Sequence, residues 1–243
     1  MLAILRIIIV ISFGIIISII GCCYCLLVPN KNSHAMLFGR IFGKLSFLFG
    51  IKIIQRIPTK INYYQPSIYI SNHQNNYDMI ILSNLVQPNT VTLGKKNIIF
   101  IPFFGQLYWL TGNIFIDRFN KIKALNTIKD IIHLINKKKK SIWIFPEGTR
   151  NYGKGLLPFK NGAFYIAISS GIPIIPVCSS NTQGQIKLNR WNNGKVIIEM
   201  LPPIDTKNFT IKDIHKLKNF CYQIINNKIM SLNEEVKNID NVI

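Results

Sequence analysis

The chain has 243 residues, enough for one α/β catalytic unit with a substantial core and an appendage, but not for two full catalytic domains. Hydrophobic residues make up 49% of it, more than a soluble domain needs, and the formal net charge is +19. That charge does not argue for nucleic acid: it is mostly Lys scattered among abundant Ile and Asn, as compositional drift in an AT-rich genome produces, whereas a cationic face suits anionic membrane lipid and acidic carrier partners.

Residues 7–28 carry no charged side chain, and 7–20 are apolar on every face. A helix of ~20 such residues is long enough for a bilayer core. A cleaved leader would need a shorter run and a small-residue exit, but the run continues through Gly21-Cys22-Cys23-Tyr24-Cys25 without an A-x-A site, so a retained anchor is expected. Length alone leaves open whether it crosses the bilayer or lies partly within it. Lys31, Arg40, Lys44, Lys52, Arg56 and Lys60 follow the run and only Arg6 precedes it, a bias that puts the bulk of the chain on the cytoplasmic side of the inner membrane. In 35–50, Leu37, Ile41, Leu45 and Leu48 recur at helical spacing beside the basic pair Arg40 and Lys44, the pattern of an interfacial helix. We therefore expect residues 1–50 to form membrane-anchoring helices and 51–243 to form the catalytic domain.

Beyond residue 50, strand and helix patterns alternate. Strands are predicted at 67–70, 91–93, 114–116, 141–145, 172–177 and 196–201, and helices at 79–85, 121–135, 163–169 and 211–236. In the second helix Ile122, Leu125, Ile128, Ile132 and Ile135 trace one face; in the last, Ile211, Ile214, Leu217, Cys221 and Ile225 do. Lys137 to Lys140 read as the exposed end of a helix. This alternation predicts an α/β fold, a central mostly parallel or mixed sheet flanked by helices, with ligands at the carboxyl ends of the strands. Cys22, Cys23 and Cys25 fall in the anchor while Cys178 and Cys221 lie far apart, as reduced thiols would. The four histidines are scattered without ligand spacing, so no metal is implied.

Polar clusters follow several strands. His73 and Asp78 are five residues apart, ~140° around a continuous helix, so they can meet only across a turn. Asn75 and Asn76 supply turn chemistry, and Asp78 then falls in the first helical turn, where a carboxylate is favoured. There Asp78 can orient the His73 ring and leave its other nitrogen to take a proton from a hydroxyl. An isolated pair of this kind is more commonly structural. Downstream, Pro146-Glu147-Gly148-Thr149-Arg150 follows another strand: Gly148 permits close backbone approach and Arg150 offers a planar fork for a phosphomonoester, although a plain turn with a surface Arg has the same composition. Asp117 and Arg118 end a third strand and could simply pair with each other.

Four ordered blocks together are more specific. With Asn72 to Asp78, Gly112 to Arg118, Phe145 to Arg150 and Gly171 to Pro176, and further similarity between them, the chain resembles the glycerolipid acyltransferases over nearly its whole length. The resemblance implies a glycerol-3-phosphate acyltransferase-like fold. It also implies acyl transfer, in phospholipid biosynthesis, from an acyl carrier protein or coenzyme A thioester to the sn-2 hydroxyl of lysophosphatidic acid, giving phosphatidic acid, with no further cofactor. His73, oriented by Asp78, would be the general base, and Lys95, or its neighbour Lys96, the donor to the developing oxyanion. Arg118, Glu147, Gly148, Thr149 and Arg150 would hold the acceptor. Glycerol-3-phosphate or another lysophospholipid is the alternative acceptor, and a basic membrane-anchored binding module without catalysis is the alternative of a different class.

Overall fold

The computed structural model describes residues 1–29, 32–58, 65–117 and 119–241. Lys31, Lys60 and Arg118, all used above, lie outside them. Helices α1 (Leu2–Leu27), α2 (His34–Gly43) and α3 (Leu45–Leu48) lead into strand β1 (Lys52–Arg56). There follow β2 (Ile68–Ser71), α4 (Asp78–Leu82), β3 (Thr90–Lys95), α5 (Phe104–Leu110), β4 (Ile114–Ile116) and α6 (Lys121–Lys138). The chain continues with β5 (Ser141–Ile144), α7 (Gly162–Ser170), β6 (Ile174–Ser179), β7 (Lys195–Met200) and α8 (Ile214–Asn241). The expected α/β architecture holds, with differences at several elements. A strand over Lys52–Arg56 and a helix over Phe104–Leu110 had not been predicted, and the last helix begins three residues late, after a 3₁₀ turn capped by Thr210 and Asp213.

The seven strands lie in the order β1-β7-β6-β2-β5-β3-β4, parallel except for the antiparallel β6–β7 pair. Side chains alternate across the sheet with period two. Ile68, Ile70, Ile142 and Ile144 face one core, with α6, α7 and α8. Tyr69 and Trp143 face the other, with α2 and α4, and stack at 5.7 Å. From β2 the chain passes through α4 to β3, beyond β5; from β5 it passes through α7 to β6, on the opposite side of β2. The crossovers diverge to opposite faces, so a crevice opens at the carboxyl ends of β2 and β5, the general ligand position in open α/β sheets. Because β7 runs back against β6, the 180–194 connection also lies at that edge.

The apolar amino terminus packs on the sheet's second face. Helix α1 has mean hydropathy 2.8 over its most apolar window and exposes most of it, burying only Arg6, Ser18, Gly21 and Cys25. At Gly21 a Cβ would lie 2.7 Å from both Leu107 and Phe38, so glycine permits the close crossing with α2 and α5. Of the stripe predicted for 35–50, Leu45 is buried, Ile41 and Leu48 are half-buried and Leu37 is exposed; Ala35, Phe38 and Phe42 form the buried face of α2, and the helix breaks at Lys44. Large aromatics rather than leucines fill the space against α4. In α6, Ile131 and Ile135 are buried but Ile122 and Leu125 of the first turns are exposed.

Candidate active site

Strand β2 delivers His73 to the crevice, and the turn through Asn75 brings the chain back so that Asp78 opens α4. His73 Nδ1 lies 2.7 Å from Asp78 Oδ2, and the same oxygen accepts the backbone N–H groups of Gln74 at 2.5 Å and Asn75 at 3.1 Å. Three donors converging on one oxygen hold the carboxylate, which is 1% exposed, in place. A carboxylate oxygen so used accepts from the ring, so the proton sits on Nδ1 and Nε2 keeps its lone pair. The His73 ring also stacks on Phe145, from the end of β5, at 4.0 Å between centroids.

The loop is fixed from outside by residues with no evident sequence signal. Asn72 and the backbone of Ser179 exchange two hydrogen bonds. Gln74 donates to Ser180 O at 2.8 Å and accepts from Thr182 N at 2.9 Å, and Asn75 donates to the Thr182 hydroxyl at 2.9 Å. These partners stand at the same edge because β6 runs parallel to and beside β2, with Ser71 opposite Val177. From the other side Asn151 N donates to His73 O.

Glu147 departs from expectation. It does not line the crevice; it is 1% exposed and its two oxygens accept the backbone N–H groups of His73 at 2.6 Å and Leu157 at 2.9 Å. The acceptor contact expected of Glu147 is therefore corrected to a positioning role: it ties the β2 and β5 loops together. Burial holds its carboxyl above the ordinary value, opposed by the N–H groups of Leu157 and His73 that favour the charged form.

The crevice continues as a cavity of about 670 Å³ between α2, α4, β3 and α5. Its walls are largely apolar, with Phe38, Phe42, Leu82, Val86, Phe104 and Leu107 among them. The polar groups of Thr92, Tyr108 and Asn113 satisfy one another: Thr92 Oγ1 lies 2.6 Å from the Tyr108 hydroxyl and donates to Asn113 Oδ1 at 2.9 Å. His73 and Asp78 border it, as do Gly148, Thr149 and Arg150. Gly148 takes φ +74°, a conformation that suits glycine. Arg150 is exposed and donates to the Tyr152 hydroxyl at 3.4 Å. Of the two candidate lysines, Lys95 lines the cavity, whereas Lys96 is drawn to Asp117 at 3.8 Å. Arg118 lies outside the described residues. Cys178 and Cys221 are fully buried on the opposite face, where burial pushes both thiols up, Cys221 to about 12; neither is available as a nucleophile.

A His–carboxylate pair of this kind is suited to taking a proton from a hydroxyl, and the cavity beside it is largely apolar. Fold and site together define a transferase of acyl groups. A family model described as Acyltransferase matches residues 51–180. The 1-acyl-sn-glycerol-3-phosphate acyltransferase of Escherichia coli (strain K12) is 52% identical over 236 residues, covering 97% of this chain and 96% of that protein. The protein of the same name from Haemophilus influenzae is 50% identical, covering 97% and 98%. The crystal structure of the 1-acyl-sn-glycerophosphate (LPA) acyltransferase from Thermotoga maritima superposes with a TM-score of 0.77 at 20% identity, covering 95% of this chain and 94% of that one, and so shares the fold. The chain belongs to the acyltransferase family and is an enzyme of it.

Proposed function

We propose that the protein transfers a fatty acyl group from a thioester to the sn-2 hydroxyl of 1-acyl-glycerol-3-phosphate, giving phosphatidic acid. The observation that carries this reading is the His73–Asp78 pair at the mouth of an apolar cavity in a chain half identical to enzymes of that name. Nε2 of His73 takes the hydroxyl proton as the oxygen attacks the thioester carbonyl. Lys95 stabilises the tetrahedral oxyanion, and collapse expels the thiolate, which recovers the proton from the imidazolium. Asp78 keeps the ring oriented and offsets its transient charge. Thr149, Arg150 and the Gly148 backbone receive the acceptor phosphate, together with Arg118. The apolar cavity takes the donor chain; acyl carrier protein or coenzyme A supplies it and no further cofactor takes part.

The enzyme works at the cytoplasmic face of the inner membrane, with α1 lying in one leaflet. Supporting this, α1 is held at both ends: Ala3 N donates to Asn189 and Arg6 binds the 188–191 backbone, while Gly21 is pressed against α2 and α5. A spanning α1 would have to break these contacts and carry Arg6 across hydrocarbon. Its outward isoleucines adjoin the exposed Phe103 and Trp109 beside α5, a surface that suits lipid contact.

The test supplies labelled acyl thioester with lysophosphatidic acid, glycerol-3-phosphate or a lysophospholipid of larger headgroup to wild type and His73→Ala in mixed micelles. Phosphatidic acid is expected as the main product, and the variant should lose about 10²–10⁴-fold in turnover. A folded His73→Ala with wild-type turnover, or preference for another acceptor, contradicts the reading.

A further inference from the structure

A second cavity, of about 420 Å³, shares Asn75, Asn76 and Tyr152 with the large one but opens towards α1 instead of α2 and α5. Val10 and Ile11 of α1 form one wall, and Phe49 and Leu188 contribute to the others. The acyl-transfer mechanism leaves this groove without a role. We propose that it takes the acyl chain already carried by the acceptor lipid, so that the donor and acceptor chains occupy separate apolar cavities meeting at the 73–78 loop. This rests on the activity proposed above.

Three observations support that occupant. First, the acceptor must bring its free hydroxyl to His73 while its own chain stays out of water, and the large cavity is committed to the donor chain. Second, the groove is walled by the helix whose outer face meets the bilayer, so a lipid chain slides from the leaflet into it without crossing solvent. Third, the groove is held open by a buried staple. Arg6 is 2% exposed, and its Nη1 donates to Leu188 O at 2.8 Å and Arg190 O at 2.6 Å, fixing α1 against the opposite wall. The polar groups fit as well. Tyr152 borders both cavities and its hydroxyl accepts from Arg150, so a phosphate held by Arg150 sits where the two cavities join.

The experiment irradiates wild-type enzyme in phosphatidylcholine vesicles with a lysophosphatidate bearing a diazirine near the end of its acyl chain, and maps the labelled residues. Label on Phe49, Val10 or Leu188 is expected; label confined to Phe38, Phe42 and Leu107 of the larger cavity overturns the proposal. Val10→Trp and Leu188→Trp then fill the groove from opposite walls. In each, kcat/KM for a long-chain acceptor, divided by that for a short-chain acceptor in the same sample, should fall at least about tenfold, the equivalent of roughly two buried methylenes. Because the ratio is internal, partial misfolding cancels, and a ratio equal to wild type in both variants refutes the groove. A wild-type enzyme that acylates neither acceptor is a different failure: it overturns the activity itself.

Discussion

Replacing Asp78 with Asn isolates the charge behind His73. The asparagine carbonyl can still accept from the His73 ring and the N–H groups of Gln74 and Asn75, so ring orientation survives. What disappears is the negative charge facing the imidazolium of the transition state. With the ring nitrogen 2.7 Å from the carboxylate oxygen, the charge centres lie about 4 Å apart, and at an effective dielectric near 20 their attraction is about 4 kcal/mol. Turnover should therefore fall about 10³-fold. A structural cost accompanies it: Oδ1 is buried with no hydrogen-bond partner among the described residues, so an amide NH₂ there loses about 1–3 kcal/mol of stability. The assay is kcat for acyl transfer to lysophosphatidic acid, normalised to folded protein by thermal melting, for Asp78→Asn, His73→Ala and the double variant. Once His73 is gone the carboxylate has no imidazolium to face, so the double variant should turn over at about the rate of His73→Ala alone. A folded Asp78→Asn within about tenfold of wild type, or multiplicative losses in the double variant, would refute the reasoning.

Glu147→Gln should loosen both loops by about 1–3 kcal/mol, because one amide oxygen cannot serve the N–H groups of both His73 and Leu157. The loss is pH-dependent. The folded carboxyl is held above its ordinary value of 4.5, so its contribution is fully present below that value and is lost as pH rises through the folded one. The excess in melting temperature of wild type over Glu147→Gln should therefore be larger at pH 5 than at pH 8, and a constant difference would contradict the assignment. Arg6→Ala leaves the carbonyls of Leu188 and Arg190 without their charged donor, at a cost of about 3 kcal/mol. Trypsin should then cut faster at Lys187 and Arg190; unchanged cleavage would mean that Arg6 does not hold this segment.

Several features were legible from residues alone. The apolar run before residue 28 has a length and composition that demand lipid or burial, and the alternating periods after residue 50 dictate layers around a sheet. His73 and Asp78 were legible as a pair because their five-residue separation is incompatible with one helix and compatible with a turn into one. Local chemistry fixes such features. The place of Glu147 was not legible: the resemblance makes it an acceptor contact, and only the adjacency of β2 and β5 reveals two backbone donors waiting for it. The same holds for Gln74 and Asn75, whose partners lie more than a hundred residues away and reach them through the parallel pairing of β6 with β2. Arg6 read as a flanking charge at the start of an anchor; docking of α1 made it a buried staple. Periodicity, turn chemistry and hydropathy act over a few residues and are written in the chain, whereas strand order and helix docking decide which distant groups share a desolvated space, and that proximity exists only in the folded molecule.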